Sequence, residues 1–255
     1  MSSTPHLPFA DCENELDRLR NEFHQFMWTT AHELRNPAQT VLGLSEMIEV
    51  EHLPDQTAQA LVGIQRDAAR LAGVVDDLYF RAEIGAGTLR VNCSCFHLNE
   101  LLEEIFATIE RMYPNHVEMQ YGPLPAVYAD ADHVRKILFN LLLNALRFSN
   151  VEDGSLVRLA ASAAPTRQCV DVSLYDLAAQ IPPEYREAIF EPSADLPAEL
   201  GRPRFGLGLG LYAGRIIARK MGGDLSIAGA NDDPAGNVFV LSIPMAEVRD
   251  GCHCC

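Results

Sequence analysis

Apolar positions in the first third of the chain recur at helical intervals. Phe23, Phe26, Leu34, Val41, Leu44 and Ile48, with Thr30 among them, are spaced by three, four or seven residues and predict a buried helical stripe. A second run, Leu61, Ile64, Ala68, Leu71, Val75 and Leu78, alternates steps of three and four, which is the seam of a coiled coil. Pro54 and Asp55 interrupt the two, so residues 11–52 and 56–83 are read as the arms of a helical hairpin. Pro37 should bend the first arm, because it lacks the amide that a helix interior uses. Two helices cannot hide such seams by themselves, so the pattern predicts a dimer that closes a four-helix bundle.

Beyond residue 83 the periodicity changes. Glu83-Ile84-Gly85-Ala86-Gly87-Thr88 has two glycines and no repeat, as a linker would. Helical patterns follow near 98–113, 131–149 and 207–222, and alternating, β-branched stretches near 117–121, 155–162, 168–176, 224–228 and 237–243. A sheet covered on one face by helices accounts for this mixture. The expected division is a tail over 1–10, a helical domain over 11–83, a linker over 84–96, an α/β domain over 97–246 and a tail over 247–255.

Charge and cysteines narrow the possible partners. A formal charge of −15 over 255 residues disfavours nucleic acid and anionic membrane surfaces. No apolar run approaches the roughly 18 residues of a spanning helix, and residues 1–10 lack a secretory signal. A cytoplasmic protein with no membrane insertion is therefore expected. Seven cysteines without an export signal do not suggest a disulfide framework. Cys252, His253, Cys254 and Cys255 crowd the C-terminus, where a soft metal could bind, but incidental thiols on a tail are the simpler reading.

Candidate chemistry sits at four places. His32 lies about 200° around the helix from both Thr30 and Leu34, so it should face away from the stripe, with Glu33 beside it and Asn36 one turn on. An imidazole next to a carboxylate suits phosphoryl chemistry. Along 131–149, Val134, Leu138, Leu141, Ala145 and Phe148 form an apolar face, while Asn140, Asn144 and Arg147 share another. Two carboxamides and a guanidinium there could receive a metal–triphosphate. Asp176 ends the strand row Val170, Val172 and Leu174, and a buried carboxylate there needs a donor such as the exocyclic amine of adenine. Gly206, Gly208 and Gly210 lead into a helix, where backbone amides can approach phosphates. The run lacks the Lys-Ser/Thr pair of a P-loop, and Pro203 argues against the strand that a dinucleotide fingerprint requires.

In order and spacing these segments resemble the two-component sensor histidine kinases over residues 11–246. His32-Glu33-Leu34-Arg35-Asn36-Pro37 resembles the phosphoacceptor box, and Asp130 through Ser149 the asparagine box. Ile189-Phe190-Glu191-Pro192 resembles the phenylalanine box, and Gly206 to Leu211 the second glycine box. The resemblance implies an α+β chain: a helical hairpin dimerising into a four-helix bundle, then an α/β sandwich of the Hsp90-like, Bergerat type. It implies ATP and Mg²⁺ as cofactors, His32 as phosphoacceptor, Glu33 as base and Asn36 as positioner of a hydrolytic water in a phosphatase reaction. Asn144 would ligate Mg²⁺, with Asn140 and Arg147 near the phosphates, and Asp176 would accept from adenine. The implied partners are a second copy, the receiver domain of a response regulator and an upstream sensor.

One box departs from the pattern. The family's first glycine box reads Asp-x-Gly-x-Gly, whereas here it is Asp176-Leu177-Ala178-Ala179-Gln180. Were φ positive at either lost glycine, an ordinary residue would be strained by roughly 1–2 kcal/mol. Side chains at 178 or 180 could also crowd the adenosine. A degenerate kinase, acting as phosphotransfer protein, phosphatase or dimeric scaffold, is the rival reading that follows from this departure. An Hsp90-like chaperone leaves the hairpin and His32 unexplained.

Overall fold

The computed structural model describes residues 82–149, 156–191, 210–228 and 236–246, together with separate positions between 18 and 78. The chain divides into two compact units, Met1–Leu89 and Arg90–Cys255.

In the first unit the described residues from 18 to 44 are helical (α1), as are those from 56 to 85 (α2). Positions 36–41 are helical, so α1 continues through Pro37, whereas Ile48 already lies in a bend, inside the span 11–52 read as helix. Among the described residues, burial recurs at heptad steps: Ala31 and Ala38 on α1, and Leu61, Ala68, Val75 and Ala82 on α2. These small and medium side chains are, among the described residues, the ones the single hairpin covers. The larger apolar positions stay outside, with Phe26 66% and Leu44 59% exposed, and Phe23, Leu34, Val41, Ile48, Ile64 and Leu71 exposed as well. The stripe predicted to be buried is thus uncovered in the single chain. Alternate layers of the α2 seam point in and out, as expected when one stripe must serve two interfaces.

The second unit is built on a five-stranded sheet in the order β2-β4-β5-β7-β6. Its strands are β2 (Val117–Tyr121), β4 (Val157–Ala164), β5 (Cys169–Asp176), β6 (Asp224–Ala228) and β7 (Asn237–Pro244). β2 and β4 are parallel, and all the other neighbours are antiparallel. Two short strands, β1 (Ser94–Phe96) and β3 (Val127–Ala129), pair separately. At three residues each, they are too short to show alternation in the sequence. Ser94–Phe96 and the helical pair Ile84 and Gly85 place regular structure at both ends of the segment read as linker.

Three helices pair with the sheet: α3 (Leu98–Met112), α4 (Ala131–Phe148) and α5 (Gly210–Lys220). Leu98, Leu101, Leu102, Ile105 and Ile109 form the buried face of α3, at helical spacing. On α4, Val134, Leu138, Leu141 and Ala145 are buried as the periodicity predicts, while Phe148 is half-buried. The sheet offers Leu159, Leu174 and Phe239 in one lateral row and Ala161, Val172, Leu241 and Leu225 in the next. All are buried, so the core lies between this face and the helices. The row beyond Leu174 contains the register pair Asp176↔Asn237, and it is polar.

Candidate functional site

α4 begins at Asp130, whose carboxylate accepts from the His133 amide at 3.1 Å and thereby caps the helix. Its second oxygen accepts from the Asn92 amide at 2.7 Å and lies 2.9 Å from His133 Nδ1. Burial alone would raise this carboxyl. The hydrogen bonds from the Asn92 and His133 amides, and then from the His133 side chain, outweigh it and hold the group below its ordinary value. The cap fixes the phase of α4, and with it the direction of the two asparagines two to four turns further along.

Asn140 and Asn144 share one half-buried face, and Asn144 Nδ2 donates to Asn140 Oδ1 at 3.5 Å. The Asn140 carboxamide lies against Gly210, the first residue of α5. A Cβ at 210 would stand 2.3 Å from Asn140 Nδ2, so the glycine leaves the space that this amide occupies. The asparagine pair is therefore brought to the described start of α5 at Gly210. Arg147 is on α4 with its side chain outside the described residues, and Gly206 and Gly208 also lie outside them.

Asp176, at the inner end of β5, is 3% exposed. A ligand's amine is not needed to offset this burial, because the protein itself supplies donors. Oδ1 accepts from the Ala178 amide at 3.2 Å, the Asn237 amide at 2.9 Å and Asn237 Nδ2 at 2.8 Å. Asn237 is buried too, at 4% exposure. Its Oδ1 accepts from the Ile181 amide at 2.7 Å, and its Nδ2 also donates to the Ala179 carbonyl at 3.2 Å. From α4, the C-cap residue Ser149 accepts the Leu177 amide at 3.0 Å through its hydroxyl. Gly236, with φ of 119°, brings β7 so close to Asp176 that a Cβ there would meet the Asp176 carbonyl oxygen.

These contacts answer the question raised by the missing glycines. Among the described residues, the only non-glycine residues with positive φ are Asn115 and Gln168. Ala178, Ala179 and Gln180 follow an ordinary backbone path, and the strain anticipated for them does not arise. Ala178 turns inward and is buried, while Gln180 is exposed. The loop is held by Ser149 at its start and Asn237 at its end, each hydrogen bond contributing about 1 kcal/mol. Pattern reading singled out neither residue for a role. The available signal was a polar Asn opening a mostly apolar strand.

The next turn is fixed from α5. Arg215 donates to Glu187 at 2.6 Å and to Asp224 at 3.3 Å, and its guanidinium stands 4.6 Å from the Phe190 ring centroid. Ile189 and Phe190 are buried and Glu191 is exposed, while Pro192 lies outside the described residues. Burial lowers the Arg215 basicity, but the Glu187 and Asp224 carboxylates overcome this and raise it.

In the hairpin, Glu33 and Asn36 are exposed on α1, and Thr40 Oγ1 donates to the Asn36 carbonyl at 2.8 Å. His32 lies outside the described residues. Among those residues, no helix is long and apolar enough to cross a membrane, and no group of His, Cys, Asp and Glu is arranged to hold a metal.

Comparison with known proteins agrees with this division. Residues 24–87 match the model of the His Kinase A (phospho-acceptor) domain, and residues 129–247 that of the histidine kinase-, DNA gyrase B- and HSP90-like ATPases. The adaptive-response sensory kinase SasA of Prochlorococcus marinus is 31% identical over 94% of the chain, which covers 63% of that relative. The sensory/regulatory protein RpfC of Xanthomonas campestris pv. campestris is 26% identical over 87% of the chain. The chain spans about a third of that protein's length (31%). Among solved structures, full-length ShkA in complex with AMPPNP superposes with a TM-score of 0.62 at 26% identity, covering 87% of this chain and 46% of ShkA.

Proposed function

We propose, for a chain that belongs to the sensor histidine kinases by the pairing of its two domains, that it autophosphorylates His32 with ATP. The phosphoryl group then passes to an aspartate on a response regulator's receiver domain. The observation that carries this reading is the ATPase-like site, where a buried and fully directed Asp176 accompanies an asparagine pair seated on the start of α5.

The donor set suits the ligands assigned to it. Asp176 would accept from the adenine amine. Asn144 would ligate Mg²⁺ through its carbonyl oxygen, with Asn140 and Arg147 beside the phosphates and Gly206, Gly208 and Gly210 offering backbone amides to them. ATP supplies the γ-phosphoryl group. An imidazole nitrogen of His32 forms the P–N bond as the bond to the β–γ bridging oxygen breaks, ADP departs, and Glu33 takes the imidazole proton. In the second transfer the P–N bond breaks toward the aspartate oxygen and the imidazole is restored. Asn36 would position a water that attacks the receiver's aspartyl phosphate, releasing inorganic phosphate, in a phosphatase reaction. The protein works as a cytoplasmic homodimer, with the exposed row of Leu34, Val41, Ile64 and Leu71 as its contact, and takes its input from an upstream sensor. The unstrained path of residues 177–181 takes away the backbone-strain argument for a retired ATPase-like domain.

Titration calorimetry of the whole chain with ATP tests the reading. Saturable binding that tightens with Mg²⁺ and weakens about tenfold in Asn144→Ala is expected. Absence of binding with and without Mg²⁺ would contradict it.

A further inference from the structure

Resting on the nucleotide reading above, we propose that Asn237 is a positioning residue that sets the Asp176 carboxylate for base recognition and so determines the preference for a 6-amino purine. Asparagine is an unfavourable residue in a strand, and a buried carboxamide is retained only where its polar atoms are engaged. At 237 both atoms of the amide are engaged, and with two different parts of the same feature. Nδ2 donates to Asp176 Oδ1 at 2.8 Å and to the Ala179 carbonyl at 3.2 Å, while Oδ1 accepts from the Ile181 amide at 2.7 Å. One side chain therefore fixes both the rotamer of the carboxylate and the course of the loop that follows it.

The backbone around Asn237 is shaped for this contact. The register pairs Asp176 with Asn237, and the Asn237 amide donates to the same carboxylate oxygen at 2.9 Å. Gly236, at positive φ, permits an approach to Asp176 that no Cβ would allow. Ala178 and Gln180 stand where the family's loop has glycine, and two of the loop's backbone groups bind the Asn237 amide instead. A carboxamide thus holds a loop built without glycine. Because the same amide orients Asp176, base selectivity depends on the first residue of β7.

The test compares ADP with IDP, which carries a 6-oxo group in place of the 6-amino group, by calorimetry on the whole chain with Mg²⁺. Wild type should prefer ADP by about tenfold or more, the size of one hydrogen bond to a charged acceptor. Asn237→Ala should lose most of that preference by weakening ADP while leaving IDP nearly unchanged. Asn237→Asp, which keeps an acceptor for Ile181 but sets a second carboxylate against Asp176, should lose it as well. Asn237→Ser retains one donor and should keep part of the preference, so it carries the test if the alanine variant fails to fold by circular dichroism. Equal weakening of ADP and IDP, or an undiminished preference in Ala and Ser variants that are folded, would overturn the proposal and leave the nucleotide reading standing. A wild type that binds neither nucleotide would overturn both.

Discussion

In the hairpin, Phe26 and Leu44 stand in solvent while Ala31 and Ala38 are buried; in the α/β domain, Asp176 and Asn237 are buried while Gln180 is exposed. Among the described residues, the first unit leaves large apolar groups outside, and the second takes in a carboxylate and a carboxamide. The hairpin cannot be at its free-energy minimum alone, because each large apolar side chain left wet forgoes about 1.5–3 kcal/mol. The α/β domain satisfies this buried pair and the loop after it from within, through Asn237 and Ser149. A surface left incomplete is a surface for a second copy, whereas a polar pair completed internally is a fixed reference for a ligand.

The largest effect should come from charging the incomplete surface. Val41→Glu with Leu71→Glu would place like charges across the proposed contact from both copies. We expect the dimer to dissociate, its dissociation constant rising by more than about a thousandfold. Light scattering at micromolar concentration should give the mass of one chain for the variant and of two for wild type; a wild-type monomer would remove the reason for the exposed row.

An intermediate effect is expected where the α/β domain is most self-contained. Asp130→Ala removes the α4 cap and the link to Asn92, which should destabilise that domain by about 2 kcal/mol at neutral pH. The folded carboxyl is held below its ordinary value despite burial. Its contribution is therefore complete above the unfolded value of about 3.9 and is lost as pH falls through the lower folded one. Urea denaturation should show a wild-type advantage that is constant above about pH 5 and shrinks below about pH 4. An advantage unchanged to pH 3 would mean that the carboxylate is not what stabilises the cap.

The smallest effect sharpens the account of the glycine-less loop. With no positive φ to relieve, Ala178→Gly and Gln180→Gly should each destabilise the domain by about 0.5–1 kcal/mol through the unfolded state, and ATP affinity should not improve. Tighter binding in the double variant would show that the side chains crowd the nucleotide after all.

How much of this was legible in the sequence depended on the range of the interactions. The five sheet strands, the apolar face of α4 and the inward row ending at Asp176 followed from local periodicity, because one side of each element is buried. Burial in the hairpin was only half legible. Heptads show that a stripe exists, but which layer closes within the chain and which stays open depends on side-chain size across two helices. The role of Asn237 was hidden for another reason. It lies 61 residues from Asp176, and only the β5–β7 register brings the two together. The glycine pattern is limited in the same way: a motif records one means of holding a loop, and here a side chain from a distant strand supplies another.

Kinase activity on His32 is the proposed work of the two units together. Incubating the whole chain with ATP labelled at the γ-phosphate and Mg²⁺ tests it most directly. Wild type should acquire label that is stable in alkali and lost in acid, as a phosphoramidate requires, and His32→Gln should acquire none. Label that persists in His32→Gln, or a wild type that binds ATP yet stays unlabelled, would contradict the account.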